Sequence, residues 1–113
     1  MGSPASAISR GKHGIDAPEV VIEAHATGKG VDSIALVGLP ETAVREAKDR
    51  IRSAITTNGF EFPKGRLAIN LAPADLPKEG GRYDLPIALG ILAASEQIPK
   101  EALADLEFIG YLF

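Results

Sequence analysis

Val44, Ala47, Ile51, Ala54 and Ile55 recur at the spacing of a single helix face. The run is bracketed by Pro40 and by Asn58-Gly59. Pro40 suits a first helical turn, where its missing N–H costs nothing, and Asn58-Gly59 tolerate the left-handed backbone that ends a helix. A helix apolar on one side has to bury that stripe against a second layer. The rest of the chain therefore has to supply a sheet or another helix beneath it.

The flanking residues supply mainly strands. Residues 18–27 are rich in β-branched and small side chains. Val21, Glu23 and His25 fall on one face of such a strand, and Val20, Ile22 and Ala24 on the other. Thr27-Gly28-Lys29-Gly30 reads as a turn and residues 31–37 as a second strand, so the short link predicts an antiparallel hairpin. Residues 66–71 form a third strand. Residues 85–94 are apolar almost all round, which predicts a helix buried on several sides, with Asp84 as its cap and Pro86 in its first turn. Residues 97–104 connect it to a last strand over 106–113, and an apolar strand in that position suggests that the parent polypeptide continues. The order strand, strand, helix, strand, helix, strand predicts an α+β fold, one sheet with helices packed on one face. Residues 1–7 read as a flexible or tag-derived tail and 8–113 as the domain.

A chain of 113 residues suits one domain with a real core. It has no cysteine, which excludes disulfides and thiolate zinc sites and fits a reducing cytoplasm. No apolar run approaches the roughly 18–20 residues of a membrane helix. The net charge of −3 is unlike that of a strongly basic nucleic-acid domain, so any DNA contact needs a local basic patch.

The chemistry-bearing residues are sparse. Gly28-Lys29-Gly30 is a fragment of the phosphate loop G-x-x-x-x-G-K-S/T, and a strand-joining turn accounts for it; tight ATP binding is not expected. His13 and His25, with Glu23 beside the latter, do not make a metal-ligand set. Ser33, Ser53 and Ser95 lack a partner base in any motif. Arg45, Lys48 and Arg52 cluster on the helix side opposite Val44, Ile51 and Ile55. They form either a contact for a phosphate backbone or partner subunit, or a solvated face shared with Glu41 and Asp49. Residues 72–83 are too polar and too broken for a regular element. Long loops of this kind usually carry contacts, and Gly80 and Gly81 give this one backbone freedom ahead of Asp84. Asp75 and Glu79 lie there beside Lys78 and Arg82, a placement that favours loop-ordering ion pairs over a general acid–base couple.

Several blocks carry a family resemblance. Gly38-Leu-Pro-Glu-Thr42, Val44 through Ala54, Asn58-Gly-Phe60, and Asn70 through Leu89 with Pro77-Lys-Glu-Gly-Gly-Arg-Tyr-Asp84 at its centre resemble the N-terminal region of bacterial magnesium-chelatase-like AAA+ ATPases, the YifB/ComM family. The likeness runs from about Ile8 to Phe113. It implies a ribosomal protein S5 domain 2-like fold, shared with the Lon protease domain. It also implies a parent whose downstream motor binds ATP and Mg2+, works as a hexamer, and drives branch migration of DNA in natural transformation. Lon-type proteases place their serine in a loop similar to residues 77–84. Here Arg82 stands at that place, and an always-protonated guanidinium is no nucleophile. The resemblance thus implies a cytoplasmic, non-catalytic module. Its partners are its own ATPase domain, neighbouring protomers and DNA, with Lys78 and Arg82 as first-choice contacts and Arg45, Lys48 and Arg52 as second. The alternative is a degenerate hydrolase or small-ligand pocket using Asp75, Glu79 and Asp84.

Overall fold

The computed structural model describes residues 4–10, 19–73, 80–104 and 106–108. Within them lie β1 (Ala5–Arg10), β2 (Glu19–Ala26), β3 (Ser33–Val37), α1 (Glu41–Thr57), β4 (Arg66–Ala72) and α2 (Asp84–Ala94). Short 3-10 turns occupy Gly80–Tyr83 and Lys100–Leu103. The strands form one mixed sheet in the order β1-β2-β4-β3. β1 and β4 run antiparallel to β2, and β3 runs parallel to β4. The described chain is thus α+β, with a four-stranded sheet and two helices.

Alternation decides which face of the sheet is covered. Ala5, Ala7 and Ser9 of β1 are buried, as are Val20, Ile22, Ala24 and Ala26 of β2 and Leu67, Ile69 and Leu71 of β4. Their neighbours in sequence point the other way. α2 lies across β1 and β2 and packs against α1. It meets β2 closely because the contact residues are small: a Cβ on Gly90 would stand 3.5 Å from that of Ala24. The expected stripe of α1 is buried at Ala47, Ile51, Ala54 and Ile55, with Val44 half-buried at its margin. α2 is buried almost all round, as its composition requires.

Several expectations need correction. β3 does not form a hairpin with β2; β4 lies between them. A short link brings two strands near each other but does not choose their partner. α1 crosses from β3 to β4 and covers its stripe, and the crossover sets these two strands side by side and parallel. The strand β1 begins at Ala5, inside the residues read as a tail, and Ala5 and Ala7 are core residues. Small alternating side chains give little strand signal alone; they are buried here because α2 covers them. Pro40 precedes the helix as its N-cap residue, its carbonyl accepting the Val44 N–H at 3.0 Å. The connector after α2 contains the Lys100–Leu103 turn, which buries Leu103. Of the last expected strand, Glu107 bridges to Ile8 in parallel, and the Phe108 N–H donates to the Ile8 carbonyl at 2.8 Å. Residues 109–113 lie outside the described residues.

Candidate functional site

α1 presents its basic residues unequally. Arg45 and Arg52 are exposed, whereas Lys48 is half-buried. Lys48 borders a small apolar gap lined by Ile34, Leu36, Ile51 and Phe62, because position 48 sits beside the stripe of 44, 51 and 55 and not opposite it. A lysine stem covers apolar surface well at such a place, because its methylenes are apolar and only its tip is charged. The Arg52 guanidinium lies 4.5 Å from the centre of the Phe62 ring, a cation–π contact worth about 0.5–1 kcal/mol at an exposed site. The three are therefore a basic edge running from solvent towards the sheet.

Asp84 is not a cap. It is the first residue of α2, with Tyr83 at the N-cap position and no side-chain cap there. Its carboxylate turns towards α1 and accepts two hydrogen bonds from Arg50, from Nε at 2.6 Å and from Nη2 at 3.1 Å. Asp84 is 2 % exposed, so a charge there needs a partner, and the planar guanidinium supplies a two-pronged one. The hydrogen bond to Asp84 holds the Arg50 pKa above its ordinary value against the opposing effect of burial, and Asp84 and Glu46 add favourable charge. Glu46, one turn earlier, stands 3.8 Å from Arg50 Nη1. Arg50 was absent from the sequence-derived candidates; among the arginines of α1 nothing local marks it as the one that faces α2.

Arg82, in the Gly80–Tyr83 turn, is half-buried, and its Nε is enclosed without a hydrogen-bond partner among the described residues. Gly81 beside it is buried. Lys78, Asp75 and Glu79 lie outside the described residues, as does His13; Gly80 opens the described turn. Of the carboxylates suggested for a pocket, Asp75, Glu79 and Asp84, the described Asp84 is hydrogen-bonded to Arg50 and enclosed. Ser33 and Ser53 are exposed. Ser95 donates to the Ile91 carbonyl at 2.8 Å and receives the Gln97 Nε2–H at 2.9 Å. His25 and Glu23 share the open face of β2. Among the described residues no three side chains of metal-ligand type converge, and no helix is long and apolar enough to cross a membrane. Gly28-Lys29-Gly30 is a turn whose Lys29 carbonyl receives the Arg66 N–H at 3.2 Å.

The family model described as subunit ChlI of Mg-chelatase matches residues 22–113. The chain is 54% identical over 104 residues to the uncharacterized protein YifB of Escherichia coli, covering 92% of this chain and 20% of that protein. It is 53% identical over 110 residues to the competence protein ComM of Haemophilus influenzae, covering 97% and 21%. An uncharacterized protein of Mycobacterium tuberculosis is 41% identical over 106 residues, covering 94% and 21%. The chain spans about a fifth of the length of these relatives.

Proposed function

The chain belongs to the family of the ChlI subunit of Mg-chelatase, and from that premise we propose that it is the non-motor N-terminal module of an ATP-driven DNA-remodelling protein. In this reading the module aids hexamer assembly or touches DNA, and the parent acts in branch migration during natural transformation. ATP and Mg2+ belong to the downstream motor of the parent, an AAA+ ATPase of the cytoplasm. The likeness to a relative named for competence supports the parent's role. The mixed sheet with both helices on one face supports a ribosomal protein S5 domain 2-like fold. A domain starting at β1 rather than at Ile8 suits the burial of Ala5 and Ala7.

The observation that carries the contact role is the solvent-facing pair Arg45 and Arg52 on α1, neither of which makes an ion pair with a described residue. Lys48 extends the patch, and Arg82 and Lys78 would approach phosphate or a neighbouring protomer from the loop before α2. Hydrolysis by this chain is not part of the reading, since Arg82 stands where Lon-type enzymes carry serine and Asp84 is engaged by Arg50. The test is made in a full-length relative with Arg45, Arg52 and Arg82 changed to Ala. Expected is loss of hexamers by sedimentation, or weaker binding to branched DNA with a shallower salt dependence. Unchanged assembly together with unchanged DNA affinity refutes the proposal.

A further inference from the structure

At the end of the sheet where β4 begins, two links meet that are far apart in sequence. One joins β2 to β3 and the other joins α1 to β4. The Thr27 N–H donates to the Arg66 carbonyl at 3.1 Å, the Ser33 N–H to the Gly65 carbonyl at 3.1 Å, and the Gly65 N–H to Asp32 Oδ1 at 2.7 Å. Gly65 makes this possible: its φ is +83°, and a Cβ there would lie 2.5 Å from the Lys29 nitrogen. From the other side Gln97 grips the α1–β4 link. Its Oε1 accepts the Glu61 N–H at 2.8 Å and its Nε2 donates to the Glu61 carbonyl at 2.7 Å. Between these restraints lies a cleft of about 700 Å³, whose lining includes Gly28, Phe60, Glu61, Phe62, Lys64 and Gln97.

The cleft joins aromatic surface to positive charge. Phe60 keeps 37% of its surface exposed although apolar burial would stabilise it. Lys64 lines the wall and Arg52 lies over Phe62, Lys29 follows the lining residue Gly28 in sequence, and Arg66, whose side chain runs along Gly30, stands on the open face of β4 beyond the rim. None of these four cations makes an ion pair with a described residue. Three carboxylates stand against them: Glu61, which itself lines the cleft, Glu96 between the lining residues Ser95 and Gln97, and Asp32, which spends one oxygen on the Gly65 N–H. The four cations outnumber these three carboxylates by one, in a chain of net charge −3.

We propose that this cleft binds single-stranded nucleic acid, with a base stacked on Phe60 and neighbouring phosphates against Lys64 and Arg52. Every base offers a π-face to an aromatic ring, and a row of cations follows the backbone, so the combination holds a single strand without reading its sequence. A duplex keeps its base faces stacked inside, and a polyanion such as poly-glutamate brings charge but no aromatic ring to the exposed Phe60. Gln97 is a positioning residue that acts through the Glu61 backbone. The proposal rests on the reading above for choosing nucleic acid among polyanions, but it places the contact at the loop end of the domain instead of the Arg82 loop.

The test is fluorescence anisotropy with this chain, using labelled oligo(dT), a duplex of equal length and poly-glutamate over a salt series. Oligo(dT) is expected to bind tightest. Phe60→Ala should weaken it about tenfold through lost stacking. Lys64→Ala should lower the slope of log K against log salt by roughly 0.7, the share of one phosphate contact on a single strand. Gln97→Ala should weaken binding while leaving that slope in place, because the cations remain. Both Phe60 and Lys64 are exposed, so these variants test the site independently if one folds poorly. Unchanged binding in Phe60→Ala and Lys64→Ala, or equal affinity for poly-glutamate, overturns the proposal. If Arg45→Ala and Arg82→Ala weaken binding while Phe60→Ala does not, this proposal fails and the reading it rests on survives. If the unaltered chain binds no nucleic acid at low salt, both this proposal and a DNA contact by this domain fail, and the assembly role remains.

Discussion

Cutting the Arg50–Asp84 pair from its two ends should have unequal costs. Asp84 is enclosed, its side chain 3% exposed, whereas that of Arg50 is 35% exposed and already within 3.8 Å of Glu46. Arg50→Ala therefore strands a carboxylate that has lost both charge-assisted hydrogen bonds and cannot turn to water. Removing one partner of a buried pair typically costs about 3–5 kcal/mol, and the partial exposure of Arg50 places this case near 3 kcal/mol. Asp84→Ala leaves a guanidinium that can swing towards solvent and Glu46, so the expected loss is about 1.5 kcal/mol, the low end of the net value of hydrogen bonds to a charged group. The double variant leaves no stranded charge and should cost about 2 kcal/mol, less than Arg50→Ala alone. Urea unfolding followed by circular dichroism reads all three. With a denaturant slope of about 1.3 kcal/mol per molar, Arg50→Ala should lower the midpoint by roughly 2 M, and Asp84→Ala by about half as much. Additive losses, or a larger loss from Asp84→Ala than from Arg50→Ala, would refute the claim that the cost lies in a trapped carboxylate.

Two glycines should respond in opposite directions in the same unfolding assay. Gly38 has φ +105°, and a Cβ there collides with the Leu71 carbonyl oxygen, so Gly38→Ala should cost about 2–3 kcal/mol. Gly90 is helical and its added Cβ meets Ala24 at an ordinary contact distance, so Gly90→Ala should stabilise by about 0.5–1 kcal/mol; a loss there would show that α2 and β2 are packed tighter than described. Glu107 gives a pH signature: the hydrogen bonds from Arg10, at 3.0 and 2.7 Å, hold its pKa below the ordinary 4.5. A depressed carboxylate contributes fully above its ordinary value and loses that contribution as pH falls through the lower folded value. Hydrogen exchange of the Phe108 amide, which donates to Ile8, should therefore accelerate below about pH 4.5 relative to Glu107→Gln, in which that step is missing. A flat difference between the two across this range would remove the clip from the account.

α1 was legible because its signals are local: five apolar positions at helical spacing and an Asn-Gly stop fall within one stretch of chain. The buried face of β2 was legible for the same reason, since alternation is a property of neighbours. The basic edge of α1 was half legible. Periodicity placed Arg45 and Arg52 in solvent, but only the position of β3 and Phe62 shows Lys48 lying across the rim of the core. In β1, alternating alanines and serines carry too little hydrophobic signal to announce a strand until α2 is known to cover them.

Sequence alone thus determined the composition class, the helix and strand segments with strong periods, and the family to which the motif blocks point. Tertiary structure decided the rest. The insertion of β4 between β2 and β3 follows from where α1 crosses the sheet, which no turn residue encodes. The Arg50–Asp84 pair joins residues 34 positions apart, and the Gln97 grip on Glu61 joins residues 36 apart. Such contacts exist only once the helices are packed, because short-range patterns specify which face of an element is apolar but not which element it will meet.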